Sequence, residues 1–96
     1  MSLLVKICGL STRETLDVAL DVGADMVGFV FFPPSPRHVS LEMAREFGKQ
    51  AKRRASKVAL TVDADDATLS NIVETLQPDL LQLHGKETVE IGRAHV

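Results

Sequence analysis

The chain has 96 residues, 45% hydrophobic and 25% charged, with 11 Lys+Arg against 13 Asp+Glu and a formal net charge of -2. One domain at most fits this length, and the composition is that of an ordinary globular protein rather than a disordered one. Neither the basic excess nor the aromatic content (4%) of a nucleic-acid binder is present.

Taken in order, the chain alternates short apolar runs with helical periodicity. Leu3 to Cys8 is apolar with one charge, Lys6, and is too short for a helix; it reads as a strand. Ser11 and Glu14 have the spacing of a capping box, and Leu16, Ala19, Leu20 and Gly23 follow one helical face, with Gly23 a natural stop. Asp25 to Phe32 is apolar on both parities, as expected of a buried strand, and Pro33-Pro34-Ser35-Pro36 ends it. Ser40 predicts a helix cap, followed by a stripe of Leu41, Ala44, Gly48 and Ala51. Lys57 to Val62 predicts a third strand. Asp65 or Asp66 caps a third helix with the stripe Leu69, Ile72, Val73 and Leu76, and Pro78 stops it. Asp79 to His84 predicts a fourth strand. The runs Gly23-Ala24-Asp25-Met26-Val27 and Gln77-Pro78-Asp79-Leu80-Leu81 both pass from a helix stop through Asp into a strand.

The order β-α-β-α-β-α-β implies a parallel sheet with right-handed crossovers. Two architectures fit: an open doubly wound sheet, or part of a (β/α)8 barrel, which needs about 200 residues or more. The longest apolar run, Met26 to Phe32, is far short of a membrane span. The first residues lack the regions of a signal peptide, and one cysteine, Cys8, excludes an internal disulfide framework. A cytoplasmic protein without membrane or nucleic-acid partners is expected.

In either architecture ligands gather at the carboxyl ends of the strands. Cys8 ends the first strand, and alternation puts Lys6 and Cys8 on the face opposite Val5 and Ile7. A nearby cation favours the thiolate, a base or nucleophile; the competing reading is a small buried hydrophobe. Arg37, after the proline-rich turn, can hold a carboxylate or phosphate in a two-pronged contact, or simply be a solvated loop residue. Gln82 and His84 share the parity that matches Lys6 and Cys8. Lys49, Lys52, Arg53, Arg54 and Lys57 form a basic stretch at the other end of the third strand, read as a solvated helix terminus. Asp63, Asp65 and Asp66 can bind a cation, but capping explains one or two of them. Neither a Walker loop nor a G-x-G-x-x-G fingerprint is found.

Four segments together resemble the phosphoribosylanthranilate isomerase family of tryptophan biosynthesis: Val5-Lys6-Ile7-Cys8-Gly9-Leu10, Gly23 through Phe31, Ser35-Pro36-Arg37-His38-Val39-Ser40 and Leu81-Gln82-Leu83-His84-Gly85. The resemblance implies a (β/α)8 (TIM) barrel, of which residues 1–90 supply the amino-terminal half. It implies an aldose-ketose rearrangement of phosphoribosyl anthranilate to carboxyphenylamino-deoxyribulose phosphate, with no metal or organic cofactor. It makes Cys8 the general base and Arg37 the contact to the anthranilate part. Gln82 and His84 line the site, and Lys6 supports it. The family's acid, an aspartate after strand five, and its phosphate loops after strands seven and eight have no counterpart here, so the 96-residue chain is expected to be inactive and to self-associate. Residues 91–96, Ile-Gly-Arg-Ala-His-Val, do not continue the pattern and read as a non-native tail. The alternative reading is a complete, small, non-catalytic β/α binding or regulatory module.

Overall fold

In the computed structural model residues 4–84 are described; the expected tail at 91–96 lies outside them. The elements are β1 (Lys6–Ile7), α1 (Arg13–Asp21), β2 (Met26–Phe31), α2 (Leu41–Ala51), β3 (Ser56–Thr61), α3 (Asp66–Leu76) and β4 (Leu80–Leu83). All three strand pairings are parallel, and the spatial order is β1-β2-β3-β4.

That order decides between the two architectures. A doubly wound sheet reverses direction at a switch point, which sends helices to both faces. Here each right-handed crossover advances by one strand in the same direction, so every helix lands on one face. Val27, Phe29 and Phe31 of β2, Ala59 of β3 and Leu81 of β4 bury themselves there, with Leu16, Ala19 and Leu20 of α1, Ala44 and Phe47 of α2, and Ile72 and Leu76 of α3. The Phe29 and Phe47 rings stack with centroids 5.4 Å apart. On the other face Met26, Val30, Leu60, Leu80 and Gln82 are only half-buried. This is the singly wound half of a barrel.

The sheet is curved toward that open face. Lys6 Nζ donates to Gln82 Oε1 at 2.7 Å, from one outer strand to the other. In a flat sheet, three inter-strand steps and four residues of stagger would hold their backbones roughly 20 Å apart, too far for two side chains to meet.

Local chemistry sets each boundary, and some differ from the expected ones. The cap of α1 is Thr12, not Ser11: its Oγ1 accepts the Thr15 N–H at 3.1 Å, while Thr15 Oγ1 donates to Thr12 O at 3.0 Å. Gly23, at φ +83, closes the helix, its N–H reaching Leu20 O and the Ala24 N–H reaching Ala19 O, both at 3.1 Å. Ser40 and Asp65 cap α2 and α3 as expected. The buried face of α2 carries Phe47 where Leu41 was expected; Leu41, the first residue of the helix, is 40% exposed. The strand β1 is only two residues long, so Cys8 follows it instead of ending it.

The repeated Asp has a mechanical cause. Asp25 Oδ2 accepts the Val5 N–H at 2.7 Å, and Asp79 Oδ2 accepts the Lys57 N–H at 2.7 Å. Each aspartate also donates its own N–H to the same residue's carbonyl, at 2.8 Å in both cases. The start of one strand is thereby clamped to the approach of the next.

Candidate active site

Cys8 carries a free, exposed thiol at the carboxyl end of β1. It lies directly against Gly28 of β2: a Cβ at that glycine would stand 3.0 Å from Cys8 Sγ and 3.4 Å from Cys8 Cα. The Leu10 N–H donates to Gly28 O at 3.2 Å and anchors the segment that follows. Glycine inside a strand marks close approach, and here the approaching group is the thiol.

Gly9, the next residue, has φ +78, a conformation that favours glycine. Its small size matters as well, since a Cβ there would stand 2.8 Å from Arg37 Cδ and 3.2 Å from Arg37 Nη1. The guanidinium therefore lies across the turn that presents Cys8. Arg37 is delivered by the loop after β2. Ser35 N–H donates to Phe32 O at 2.8 Å, Ser35 Oγ accepts the Arg37 N–H at 3.1 Å, and Val39 N–H returns to Val30 O at 2.9 Å. The prolines preset the backbone of this turn.

Lys6 and Gln82 face each other across the open side through their 2.7 Å bond, which confirms the expected parity of both strands. His84 follows β4, its N–H on Thr61 O at 2.8 Å and its side chain exposed. The structure thus lays Arg37 over Gly9, the residue after Cys8, joins Lys6 to Gln82, and sets His84 at the same end of the sheet. Sequence reasoning assigned no role to Gly9 or Gly28. The available signal was a glycine after a strand and another inside one.

The basic stretch lies at the opposite end. Lys49, Lys52, Arg53 and Arg54 are exposed, and Arg54 Nη2 pairs with Asp21 Oδ1 at 3.1 Å. Lys57 departs from the solvated reading: it is buried, at 7% exposure. Burial pushes its pKa below the usual lysine value, the Asp79 charge opposes that, and Lys52 adds to it. A hollow of about 680 Å³ opens here, lined by Lys52, Arg54, Lys57, Asp25 and Asp79 among others. It is far from Cys8, at the end of the sheet where barrels carry stability rather than catalysis. Asp65 is spent as a cap, its carboxyl held below the usual range by the Thr68 side chain and backbone N–H. Among the described residues no three His, Cys, Asp or Glu side chains are grouped to hold a metal ion, and no helix is long and apolar enough to cross a membrane.

A thiol and a guanidinium at the strand ends of a singly wound sheet coincide with a match to known sequences. The profile of the N-(5'-phosphoribosyl)anthranilate isomerase family aligns with residues 5–95. The chain belongs to this family. It is 79% identical over 89 residues to the isomerase of Bradyrhizobium diazoefficiens, covering 93% of this chain and 40% of that one. It is 76% identical to the isomerase of Nitrobacter hamburgensis, again covering 93% and 40%. The chain thus spans about two fifths of the length of these relatives.

Solved structures agree on the barrel. The isomerase of Thermotoga maritima superposes with a TM-score of 0.85 at 33% identity, over 97% of this chain and 45% of that one. The isomerase of Thermus thermophilus also gives 0.85, at 29% identity, over 97% and 48%. A third isomerase, solved in complex with reduced 1-(o-carboxyphenylamino)-1-deoxyribulose 5-phosphate, matches at 0.85 and 33% identity, over 97% and 48%.

Proposed function

We propose that this chain supplies the base-bearing half of a phosphoribosylanthranilate isomerase, with Cys8 as general base. The observation that carries the reading is the exposed thiol seated on Gly28 at the carboxyl end of the sheet, with the Arg37 side chain lying over the adjoining Gly9. In the reaction a proton on the ribose ring oxygen lets the anilino nitrogen open the ring to an iminium. Removal of the proton on carbon two then gives the enolamine, and proton return at carbon one gives the aminoketose. The second step needs a positioned base, and a thiolate can serve as one.

Arg37 is assigned to the anthranilate carboxylate, where a planar fork fits two oxygens. Gln82 and His84 complete the wall of the site, and Lys6 supports Gln82 through its hydrogen bond. The ring-opening acid and the phosphate loops are assigned to the second half of the barrel. The compartment we assign is the cytoplasm, where a free thiol stays reduced.

The test is a chimera of residues 1–84 with the remaining carboxy-terminal part of the Bradyrhizobium diazoefficiens relative. It should consume phosphoribosyl anthranilate, and Cys8→Ala should lower kcat about a hundredfold or more with KM little changed. A Cys8→Ala chimera with near-parental kcat would make the cysteine structural.

A further inference from the structure

Lys57 is a buried charge that the fold leaves without a hydrogen bond. The residue is 7% exposed, and among the described residues its Nζ has neither a hydrogen-bond nor an ion-pair partner. Asp79 attracts it from beyond ion-pair distance, and Asp79 Oδ2 already accepts the Lys57 backbone N–H at 2.7 Å.

Lys57 is level with the buried Val27 in the sheet, so its side chain leaves β3 on the helix side. There it lines a groove of about 320 Å³ between α2 and α3. Gly48 lets the two helices approach closely beside it, since a Cβ at that glycine would stand 2.8 Å from Leu76 O. Arg45, Lys49, Lys52 and Lys57 line the groove against one carboxylate, Glu74. Among the described residues none of these four cations has an ion pair.

The carboxyl ends of α2 and α3 lie here, and their negative poles account for exposed lysines. They do not supply the hydrogen bond that a buried ammonium needs. Burial is the largest influence on Lys57 and Lys52 adds repulsion, while Asp79 offsets only part of the two.

We propose that this groove binds a phosphate dianion, free or as the monoester of a small molecule, between Lys57 at its base and Lys52, Lys49 and Arg45 at its rim. The inference rests on the fold and not on the chemistry assigned to Cys8. Four cations against one carboxylate leave an excess of three positive charges, which suits a doubly charged ligand better than a single carboxylate. Phosphate oxygens accept from several donors at once, from ammonium groups as point charges and from a guanidinium through its fork. Bound there, the dianion gives Lys57 the hydrogen bond it lacks and relieves its repulsion from Lys52. The groove lies at the end of the sheet where barrels carry stability, so the ligand acts by holding α2, α3 and β3 together.

The chimera that contains residues 1–84 includes the whole groove. Acetylation at about pH 8, where a phosphate monoester carries two charges, is read lysine by lysine by peptide mass spectrometry. Inorganic phosphate should slow labelling of Lys49 and Lys52 in a saturable way, compared with sodium chloride at equal ionic strength. Glycerol 3-phosphate is the second probe. Equal protection by both assigns recognition to the phosphoryl group alone, and stronger protection by the ester assigns it to a phosphorylated small molecule. Lys57→Met should raise the half-protecting phosphate concentration about tenfold, the loss of one charge-assisted hydrogen bond. Lys52→Gln, a change at an exposed position, should weaken protection of Lys49 and keeps the test decisive if Lys57→Met fails to fold. Protection by neither phosphate beyond that of chloride, or protection that survives the substitutions, would overturn the proposal. Labelling is read at named residues and needs no isomerase activity, so a failed phosphate site and a failed isomerase remain separate results.

Discussion

Gly28→Ala isolates the positioning of the thiol from its chemistry. The added Cβ would lie 3.0 Å from Cys8 Sγ and 3.4 Å from both Cys8 Cβ and Cys8 Cα. Unstrained contacts of this kind need about 3.5–4.0 Å, so the sulfur must retreat by roughly 0.5–1 Å. Rotation about χ1 can move Sγ, but the backbone contact at Cα remains, so the chain at Cys8 must also give a few tenths of an ångström. Either response displaces the base. A displacement of about 1 Å from productive geometry costs up to a hundredfold in rate, so kcat of the chimera should fall about ten- to a hundredfold. Stability should change little. The lost glycine freedom in the unfolded chain favours folding by about 0.4–1 kcal/mol, which offsets much of the crowding. Steady-state kinetics and urea unfolding on the same preparation separate the two effects. Unchanged kcat would refute the claim that Gly28 seats the thiol. A fall in kcat matched by loss of fold would refute the claim that the effect is local.

Three further outcomes follow from the same structure. Arg37→Lys should raise KM of the chimera less than Arg37→Ala, because lysine keeps the charge and loses the fork; equal kinetics for parent and both variants would reject the contact. Gly48→Ala should destabilise by up to about 2 kcal/mol in urea unfolding, because its Cβ would meet Leu76 O at 2.8 Å and overpacking at about 1–3 kcal/mol is offset by only about 1 kcal/mol of helix propensity. Lys57 has a folded-state pKa below its unfolded value of 10.5. Between those values the unfolded state holds the extra proton, so stability from this residue rises with pH toward 10.5. Lys57→Met should remove that rise, seen as a difference between the two unfolding midpoints that changes from pH 7 to 10; a constant difference would contradict the buried-ammonium account.

Much of the architecture was legible because the period of each apolar run is a physical consequence of strand or helix geometry. The parity of Lys6, Gln82, Ile7 and Leu83 follows from alternation alone, and the structure agrees. Caps were less legible. Ser11 and Thr12 are chemically similar N-caps, and only the backbone bend that lets Thr12 reach Thr15 selects between them. Lys57 looks like its basic neighbours in sequence, but strand alternation turns it inward beside Asp79 while Lys52, Arg53 and Arg54 stay on the exposed turn. The choice between barrel and doubly wound sheet was not legible from element order, because the same order serves both; the sequential strand arrangement decided it. Within the site, Cys8 and Arg37 were legible as strand-end chemistry. Gly28 and Gly9 were not, since their function is the room they leave for a neighbour distant in sequence.

The most direct test of the account follows the proton itself. Phosphoribosyl anthranilate deuterated at carbon two would be given to the chimera with Cys8 and with Cys8→Ala, and turnover compared with the unlabelled substrate under saturating conditions. The account predicts slower turnover of the deuterated substrate by the Cys8 chimera, loss of the label from the product to solvent, and turnover at least about a hundredfold lower without the thiol. Label loss at near-parental rate in the Cys8→Ala chimera would contradict the claim that this cysteine takes the proton.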